Sequence, residues 1–327
     1  MSIATERYQI VDEIRRADKL LLVTHENPDG DALGSLLGMH LILEQLGKDS
    51  VMFMDSEQFP LPYEYQRMPL EDVHRELPED LDERVIVFLD CGNIDRMPVD
   101  FLRQGHQHVL NIDHHHDNTR FGDVNLVVGH ASCTAEILWD IARDLEVPIT
   151  VELGNALYVA LVTDTGKFMF ENTSPKAHEM AAELIEAGVQ PQEVHRRLYE
   201  GLPFARLQLL ARALNSVQRF DGGALTLTHV TREDFSHSNA VESDSEGIVD
   251  HLRQVEGTVV AALMRELLDV DGRRKVSLRA TDKRVDVSMI ARGLGGGGHR
   301  QAAGFTTDVP VEEVIERLRR EIGEQLS

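Results

Sequence analysis

Eight side chains in this sequence have the types and spacing to act together on a charged substrate: His25, Asp29 and Asp31, then Asp90, then the consecutive Asp113, His114 and His115, and finally Asp164. Each cluster follows an apolar run. Carboxylates in the majority with imidazoles in the minority make a donor set for two divalent cations, with Mn²⁺ preferred and Mg²⁺ a weaker fit. The absence of cysteine clusters speaks against structural zinc. Only Cys91 and Cys133 occur, too few for a disulfide framework, and both are expected to be reduced. Asp-Gly-Asp is also ordinary turn chemistry, and Asp31 alone could do no more than cap the helix that follows it. Four acid or histidine clusters at the ends of apolar runs weigh against that reading.

The elements that must position these groups follow from the same runs. Residues 20–23 read as a buried parallel strand, and the chain then turns at Pro28 and Gly30. From Asp31, the residues Leu33, Leu36, Leu37, Leu41 and Leu43 give a helix a broad apolar face, with Gly47 as its stop. Further strands are expected at 51–54, at 85–89 ending on Asp90, and at 109–112 ending on Asp113. The connection between the last two is long enough for a crossover. Helices are expected at 132–145 and at 152–162, the second running into Asp164. Imidazoles and carboxylates therefore collect at the carboxyl ends of parallel strands, where open α/β sheets bind ligands.

Later in the chain the pattern changes. Helices over 176–187, 191–199 and 204–217 give way to strands at 224–228, 258–264 and 275–280, then to a glycine run and a C-terminal amphipathic helix over 311–326. The expected fold class is α/β. A parallel-sheet, Rossmann-like catalytic domain occupies 1–190, a helical linker 191–218, and a smaller mixed α/β substrate-binding domain 219–327. Four glycines in a row can be a flexible loop. They can also let backbone N–H groups approach an anion, beside a histidine that donates to phosphate and an arginine with a bidentate fork. On the second reading Arg279, Gly296, Gly297, Gly298 and His299 form a substrate clamp.

Composition bounds the partners. The chain has 327 residues, enough for two cores, with 33 basic and 56 acidic residues and a net charge of −23. Long nucleic acid needs a basic stripe to neutralise many phosphates, so the acidic balance argues against that class and none is expected, whereas a small anion drawn to a cationic metal pocket is compatible with it. No apolar run approaches the roughly 20 residues of a membrane span, and the N-terminus lacks the basic start and apolar stretch of a signal peptide. A cytoplasmic protein with no membrane partner is expected.

Taken in order, the motifs resemble those of the DHH phosphoesterase family. They are His25-x-Asn27-Pro28-Asp29-Gly30-Asp31-x-x-Gly34-Ser35, Asp90, Asp113-His114-His115-x-x-Asn118, and Asp164-Thr165-Gly166. The later Gly296-Gly297-Gly298-His299-x-x-Ala302-Ala303-Gly304, with Ser277-Leu278-Arg279, resembles the family's associated substrate domain. The resemblance covers nearly the whole chain. A third consecutive histidine, His116, departs from the pattern and receives no role. The resemblance implies that His25 and Asp29 hold one cation, that Asp31, His114 and Asp164 hold the other, and that Asp90 bridges them. Two such cations about 3.5–4 Å apart can share a hydroxide and stabilise both the attacking and the leaving oxygen. It further implies that Asp113 orients a neighbouring histidine and that His115 faces the substrate phosphate. The implied activity is hydrolysis of short oligoribonucleotides or of 3′-phosphoadenosine 5′-phosphate, with a homodimer as a compatible assembly. A cyclic or linear dinucleotide phosphodiesterase, a family II pyrophosphatase-like hydrolase and a non-catalytic nucleotide sensor are the alternatives.

Overall fold

A computed structural model of the chain describes residues 2–96 and 107–327. It divides into two units, Met1–Glu200 and Gly201–Ser327. The first contains, in order, α1 (Ile3–Arg16), β1 (Lys19–Val23), α2 (Gly30–Gln45), β2 (Asp49–Phe53), β3 (Val85–Leu89), β4 (Val109–Asp113), β5 (Val124–Val127), α3 (Thr134–Asp144), α4 (Val151–Asp164), α5 (Pro175–Glu186) and α6 (Pro191–Tyr199). Part of the expected crossover between β3 and β4, residues 97–106, lies outside the described residues.

The five strands are all parallel, in the order β2-β1-β3-β4-β5. Both faces of the sheet are covered, which is why the strands read as continuous apolar runs. Leu20, Leu22, Val87, Leu89, Leu110 and Ile112 enter one core cluster. Leu21, Val23, Phe53, Ile86 and Phe88 enter the other. The strand order reverses between β1 and β3, and such a switch point leaves a crevice outside the carboxyl ends of the two strands.

Helices α2 and α4 close one side of that crevice by an unusually near approach. A Cβ on Gly34 would lie 2.5 Å from the Ala156 carbonyl oxygen and 2.8 Å from the Ala160 Cβ. One on Gly30 would collide with Thr163, and one on Gly38 would lie 3.0 Å from Leu157. Glycines at i, i+4 and i+8 share one face of a helix. Their partners run backwards along α4, so the helices are antiparallel and the start of α2 meets the end of α4.

The stretch expected as a helical linker, 191–218, is shared between the two units. Helix α6 buries Val194 and Leu198 in the core of the first. Helix α7 (Phe204–Asn215) buries Leu209 and Ala213 with Val230, Phe235 and Ala261 of the second. Each helix has its own apolar stripe, and the stripes belong to different cores.

The second unit continues with β6 (Gln218–Phe220), β7 (Leu225–Val230), α8 (Arg232–Ser238), α9 (Ile248–Arg253), β8 (Val260–Glu266), β9 (Arg274–Ala280), α10 (Val287–Arg292), β10 (Gly297–His299), β11 (Ala302–Thr307) and α11 (Val311–Leu326). Its sheet runs β10-β11-β9-β8-β7-β6. Strands β7 and β8 are parallel and the remaining neighbours antiparallel. The glycine run is not a free loop here, because β10 pairs with β11, Gly298 against Ala303. Gly298 has φ 135°, and a Cβ on it would lie 2.6 Å from the Ala302 carbonyl oxygen.

Overpacking a seam this tight must push the helices apart. Gly34→Ala is expected to cost about 1–3 kcal/mol of stability, read as a lower denaturant midpoint with metal absent. A midpoint equal to that of the unaltered protein would show that the seam yields freely.

Candidate metal centre

The site is built where β1, β3 and β4 end and α2, α3 and α4 begin or finish. The Thr24 hydroxyl donates to the Leu89 carbonyl at 3.0 Å and ties the ends of β1 and β3 together. Asn27 and Asp90 then adopt left-handed φ values of 54° and 58°, which Asn and Asp tolerate better than bulkier residues. Asp29, rather than Asp31, caps α2, accepting from the Asp31 and Ala32 amides at 3.0 and 3.1 Å. Asp31 lies in the first turn, almost wholly buried.

Asp31 is held by another helix's free amides. Its carboxylate accepts from Thr134 N at 2.6 Å and Ala135 N at 3.2 Å, the first two residues of α3, and from the Ser35 hydroxyl at 3.0 Å. A helix N-terminus offers such unpaired donors to an anion. The Thr134 hydroxyl donates to Asp90 Oδ1 at 3.0 Å. Asp164 is the last residue of α4, and Asn172 donates to its Oδ2 and to its carbonyl, at 3.1 Å each.

These groups converge. His25 Nε2 lies 3.6 Å from Asp90 Oδ2. His114 Nε2 lies 3.6 Å from Asp90 Oδ1, 3.7 Å from Asp164 Oδ2 and 3.8 Å from Asp31 Oδ2. Among the described residues, three sets each keep one donor atom per residue within 4.8 Å of the others: His25, Asp29 and Asp90; Asp31, His114 and Asp164; Asp90, His114 and His115. Asp90 belongs to two of them.

Backbone and carboxylate oxygens fix the imidazole tautomers, because such an oxygen can only accept. His25 Nδ1 is 2.7 Å from the Glu26 carbonyl, His114 Nδ1 is 3.3 Å from the Ala131 carbonyl, and His115 Nδ1 is 2.7 Å from Asp113 Oδ1. With the proton on Nδ1, His25 and His114 each offer the Nε2 lone pair to the centre, whereas His115 turns its Nδ1 edge toward Asp113 and, at 3.6 Å, toward Asp90. Arg96 Nη2 also stands 2.8 Å from His25 Nδ1. That contact would demand the opposite tautomer, and the Glu26 carbonyl is the partner compatible with a donor Nε2.

The second unit places its expected residues in one region of its sheet. The register sets Arg279 of β9 opposite Ala302 of β11, and Ala302 opposite His299 of β10. Arg279 spends one N–H on the Leu278 carbonyl (3.1 Å), with its Nε 3.9 Å from Asp250.

Comparison with known proteins bears on both units. Residues 19–161 match the DHH family, N-terminal domain, and residues 226–327 match the DHHA1 domain. A Thermus thermophilus protein named bifunctional oligoribonuclease and PAP phosphatase NrnA is 33% identical, over 97% of this chain and 95% of its own length. The chain belongs to the DHH phosphoesterase family. A Bacillus subtilis protein of the same name as the Thermus one is 24% identical to this DHH phosphoesterase, over 90% of this chain and 91% of its own length. The fold agrees with the crystal structure of an exopolyphosphatase-related protein from Bacteroides fragilis, with a TM-score of 0.89 and 24% identity over 98% and 96% of the two chains. It also agrees with RecJ in complex with Mn²⁺ from Thermus thermophilus, with a TM-score of 0.53 and 14% identity over 99% of this chain and 54% of that one.

The electrostatics of this DHH phosphoesterase are those of a largely buried acidic nest. Burial, then the charges of Asp31 and Asp29, pushes Asp90 far above the usual carboxylate range. Burial likewise raises Asp31, and burial with the charge of Asp31 lifts Asp164 to about 7. His25 is lowered by burial and by Arg96, which keeps it neutral and able to donate a lone pair. For Asp113 burial pushes upward, but the hydrogen bonds from His115 and Asn118 outweigh it and hold the carboxyl below its ordinary value. The same bond from the other side raises His115. Oxygen-rich donor sets with imidazole, too acidic to be stable alone, fit divalent cations of the Mn²⁺ or Mg²⁺ type.

Three contributors escaped the sequence reading: Thr134, Asn172 and Arg96. The polar run Ser132-Cys133-Thr134 before an apolar helix is a start signal and could have drawn attention to α3's amides. Nothing local marks Asn172 or Arg96.

The raised carboxylates set a pH dependence. In the unfolded chain they ionise near 4, whereas folded Asp164 keeps its proton to about 7, so the folded state binds more protons and metal-free stability falls as pH rises from about 4 through about 7. The chelated protein is expected to melt higher at pH 5.5 than at pH 8, and Mn²⁺ to raise the melting temperature more at pH 8. Asp164→Asn should flatten part of that slope in thermal scans; an unchanged slope would assign it to the general acidic excess.

Proposed function

We propose that this DHH phosphoesterase uses two divalent cations, Mn²⁺ for preference, to hydrolyse short oligoribonucleotides such as dinucleotides, and the related mononucleotide 3′-phosphoadenosine 5′-phosphate. The observation that carries the reading is a pair of donor sets, His25 with Asp29 and Asp31 with His114 and Asp164, between which Asp90 stands, 3.6 Å from both His25 Nε2 and His114 Nε2, combined with 33% identity over nearly the full length to a protein named for both activities. On this reading His25 and Asp29 hold one cation, Asp31, His114 and Asp164 hold the other, and Asp90 contributes to both. When bound, the cations supply Lewis-acid activation of water and of the phosphoryl oxygens.

The chain's own groups do the rest. Asp113 fixes the His115 ring through the 2.7 Å bond to Nδ1 and favours its protonated form, in which Nε2–H is left to donate to a phosphoryl oxygen. Asn118 holds the far oxygen of Asp113 and also donates to Asn111 and the Cys91 carbonyl, so the dyad is braced from β4. In the second unit we assign Arg279, the backbone of Gly296, Gly297 and Gly298, and His299 to substrate binding. Arg279 keeps guanidinium N–H groups to spare for a phosphate.

A second reading has one specific support. A Geobacillus thermodenitrificans protein named cyclic-di-AMP phosphodiesterase GdpP is 24% identical over 94% of this chain, which spans about half (48%) of that longer protein. A panel separates the readings: diadenylate, longer RNA, cyclic di-AMP, pyrophosphate and 3′-phosphoadenosine 5′-phosphate, side by side with Mn²⁺. Highest kcat/KM on the dinucleotide or on 3′-phosphoadenosine 5′-phosphate is expected. A preference for the cyclic dinucleotide would install the second reading, and no turnover of any substrate would leave a nucleotide sensor.

Two substitutions test the roles. Asp90→Asn is expected to bring turnover to background with the fold intact, since the anion standing between the two donor sets is lost. Arg279→Ala should lower kcat/KM by about tenfold with metal affinity unchanged. An Arg279 variant that lost its cations would move that residue out of the substrate-binding role.

A further inference from the structure

The segment that leaves the metal centre carries two apolar side chains, Met169 and Phe170, that enter neither core cluster of the first unit. Gly166, Lys167 and Phe168 have positive φ in succession, 55°, 63° and 65°, a conformation unfavourable for the two non-glycine residues. Phe168 offsets part of that strain, packing on the core of the first unit and stacking on His178 with centroids 4.9 Å apart and planes at 23°. The left-handed turn then sends the next two residues outward. Met169 is 82% exposed and Phe170 is 53% exposed.

This is not a loose tip. The Met169 and Phe170 amides both donate to the Thr165 carbonyl, at 2.9 and 3.0 Å, and Thr173 N donates to the Phe170 carbonyl at 3.1 Å. Asn172 returns the chain to Asp164 and to the Ser132 carbonyl (2.9 Å), and the Ser132 hydroxyl donates to the Asn172 carbonyl at 2.7 Å. The Phe170 ring lies against Gly166, where a Cβ would approach its Cζ to 2.5 Å. An aromatic ring is thus fixed to the backbone two residues beyond a member of the metal donor set, with much of its surface in water. Isolated exposed apolar residues are ordinary, but one held in a strained, tethered turn beside a reaction centre has been positioned for something other than packing.

We propose that Phe170, flanked by Met169, is the stacking platform for a nucleobase of the substrate whose phosphate occupies the metal centre; this rests on the nucleotide reading given above. A flat ring accepts any base by its π face, so the platform would add affinity without sequence preference. It also explains why a phosphate-cleaving centre needs a large apolar group at its edge: the bond being broken is polar, but the base attached to it is not.

The test compares Phe170→Ala and Phe170→Trp with the unaltered enzyme, loaded with Mn²⁺. Two substrates are used, diadenylate and a dinucleotide with the same phosphodiester but abasic riboses. Phe170→Ala is expected to raise KM for diadenylate by about tenfold, with kcat, Mn²⁺ affinity and melting temperature unchanged. Phe170→Trp should restore KM, and the abasic substrate should not distinguish the variants. Equal losses on both substrates, or no loss on diadenylate, would overturn the platform while leaving the nucleotide reading intact. An unaltered enzyme that cuts neither substrate, nor any other nucleotide of the panel, would remove both.

Discussion

Three carboxylates gathered around His114, the buried Asp31 and Asp90 and the half-buried Asp164, are the constraint on which the first unit depends. Each ionised form raises the cost of the next, and burial removes the water that would screen them. The fold offsets part of this with donors: α3's first amides and Ser35 at Asp31, the Thr134 hydroxyl at Asp90, and Asn172 at Asp164. Helix ends grade the remainder. Asp29 and Asp31 sit at the N-terminus of α2, where the macrodipole favours negative charge, whereas Asp164 ends α4, where it does not. What hydrogen bonds leave uncompensated is a charge that must be neutralised by protons, as the raised carboxyls show, or by bound cations.

That arrangement exists because two helices touch at glycine. The Gly30, Gly34 and Gly38 face lets α4 approach α2 backbone to backbone, and the antiparallel sense of the pair sets the first turn of one beside the last turn of the other. Any side chain on that face would widen the seam and draw Asp164 away from Asp31 and His114. Stability and donor geometry therefore share one structural cause, and a substitution far from the metal centre along α2 acts on both.

Much of this was legible in the sequence, for a physical reason. Parallel strands buried on both faces must be short apolar runs, so β1, β3 and β4 announced themselves, and a run of acids or imidazoles just after such a strand stands out against it. Helices with several apolar turns, such as α4 and α11, were equally plain. Short or weakly patterned elements escaped: β5 has only four residues, β11 opens on Ala-Ala-Gly, and α8 to α10 span seven residues or fewer. The glycine run defeated sequence reading because glycine has no strand preference, and only its pairing with β11 makes β10 a strand. Asn172 was invisible because its work depends on a left-handed turn at Lys167 and Phe168, residue types that do not advertise positive φ.

A net charge of −23 and a centre directed at phosphate look contradictory until the range of each field is considered. Surface charges act over about 8 Å at physiological salt, and their repulsion grows with every phosphate that comes within that distance. Divalent cations in a buried nest act at closer quarters on one phosphate, with little screening between them. A substrate with one or two phosphates meets the attraction in full and little of the repulsion. A long strand meets the same single attraction and accumulates repulsion along its length, which only a basic stripe releasing its counterions would offset. On the proposed reading the acidic surface is therefore a length filter, and it explains why an enzyme for very short nucleotides has no need of a positive channel.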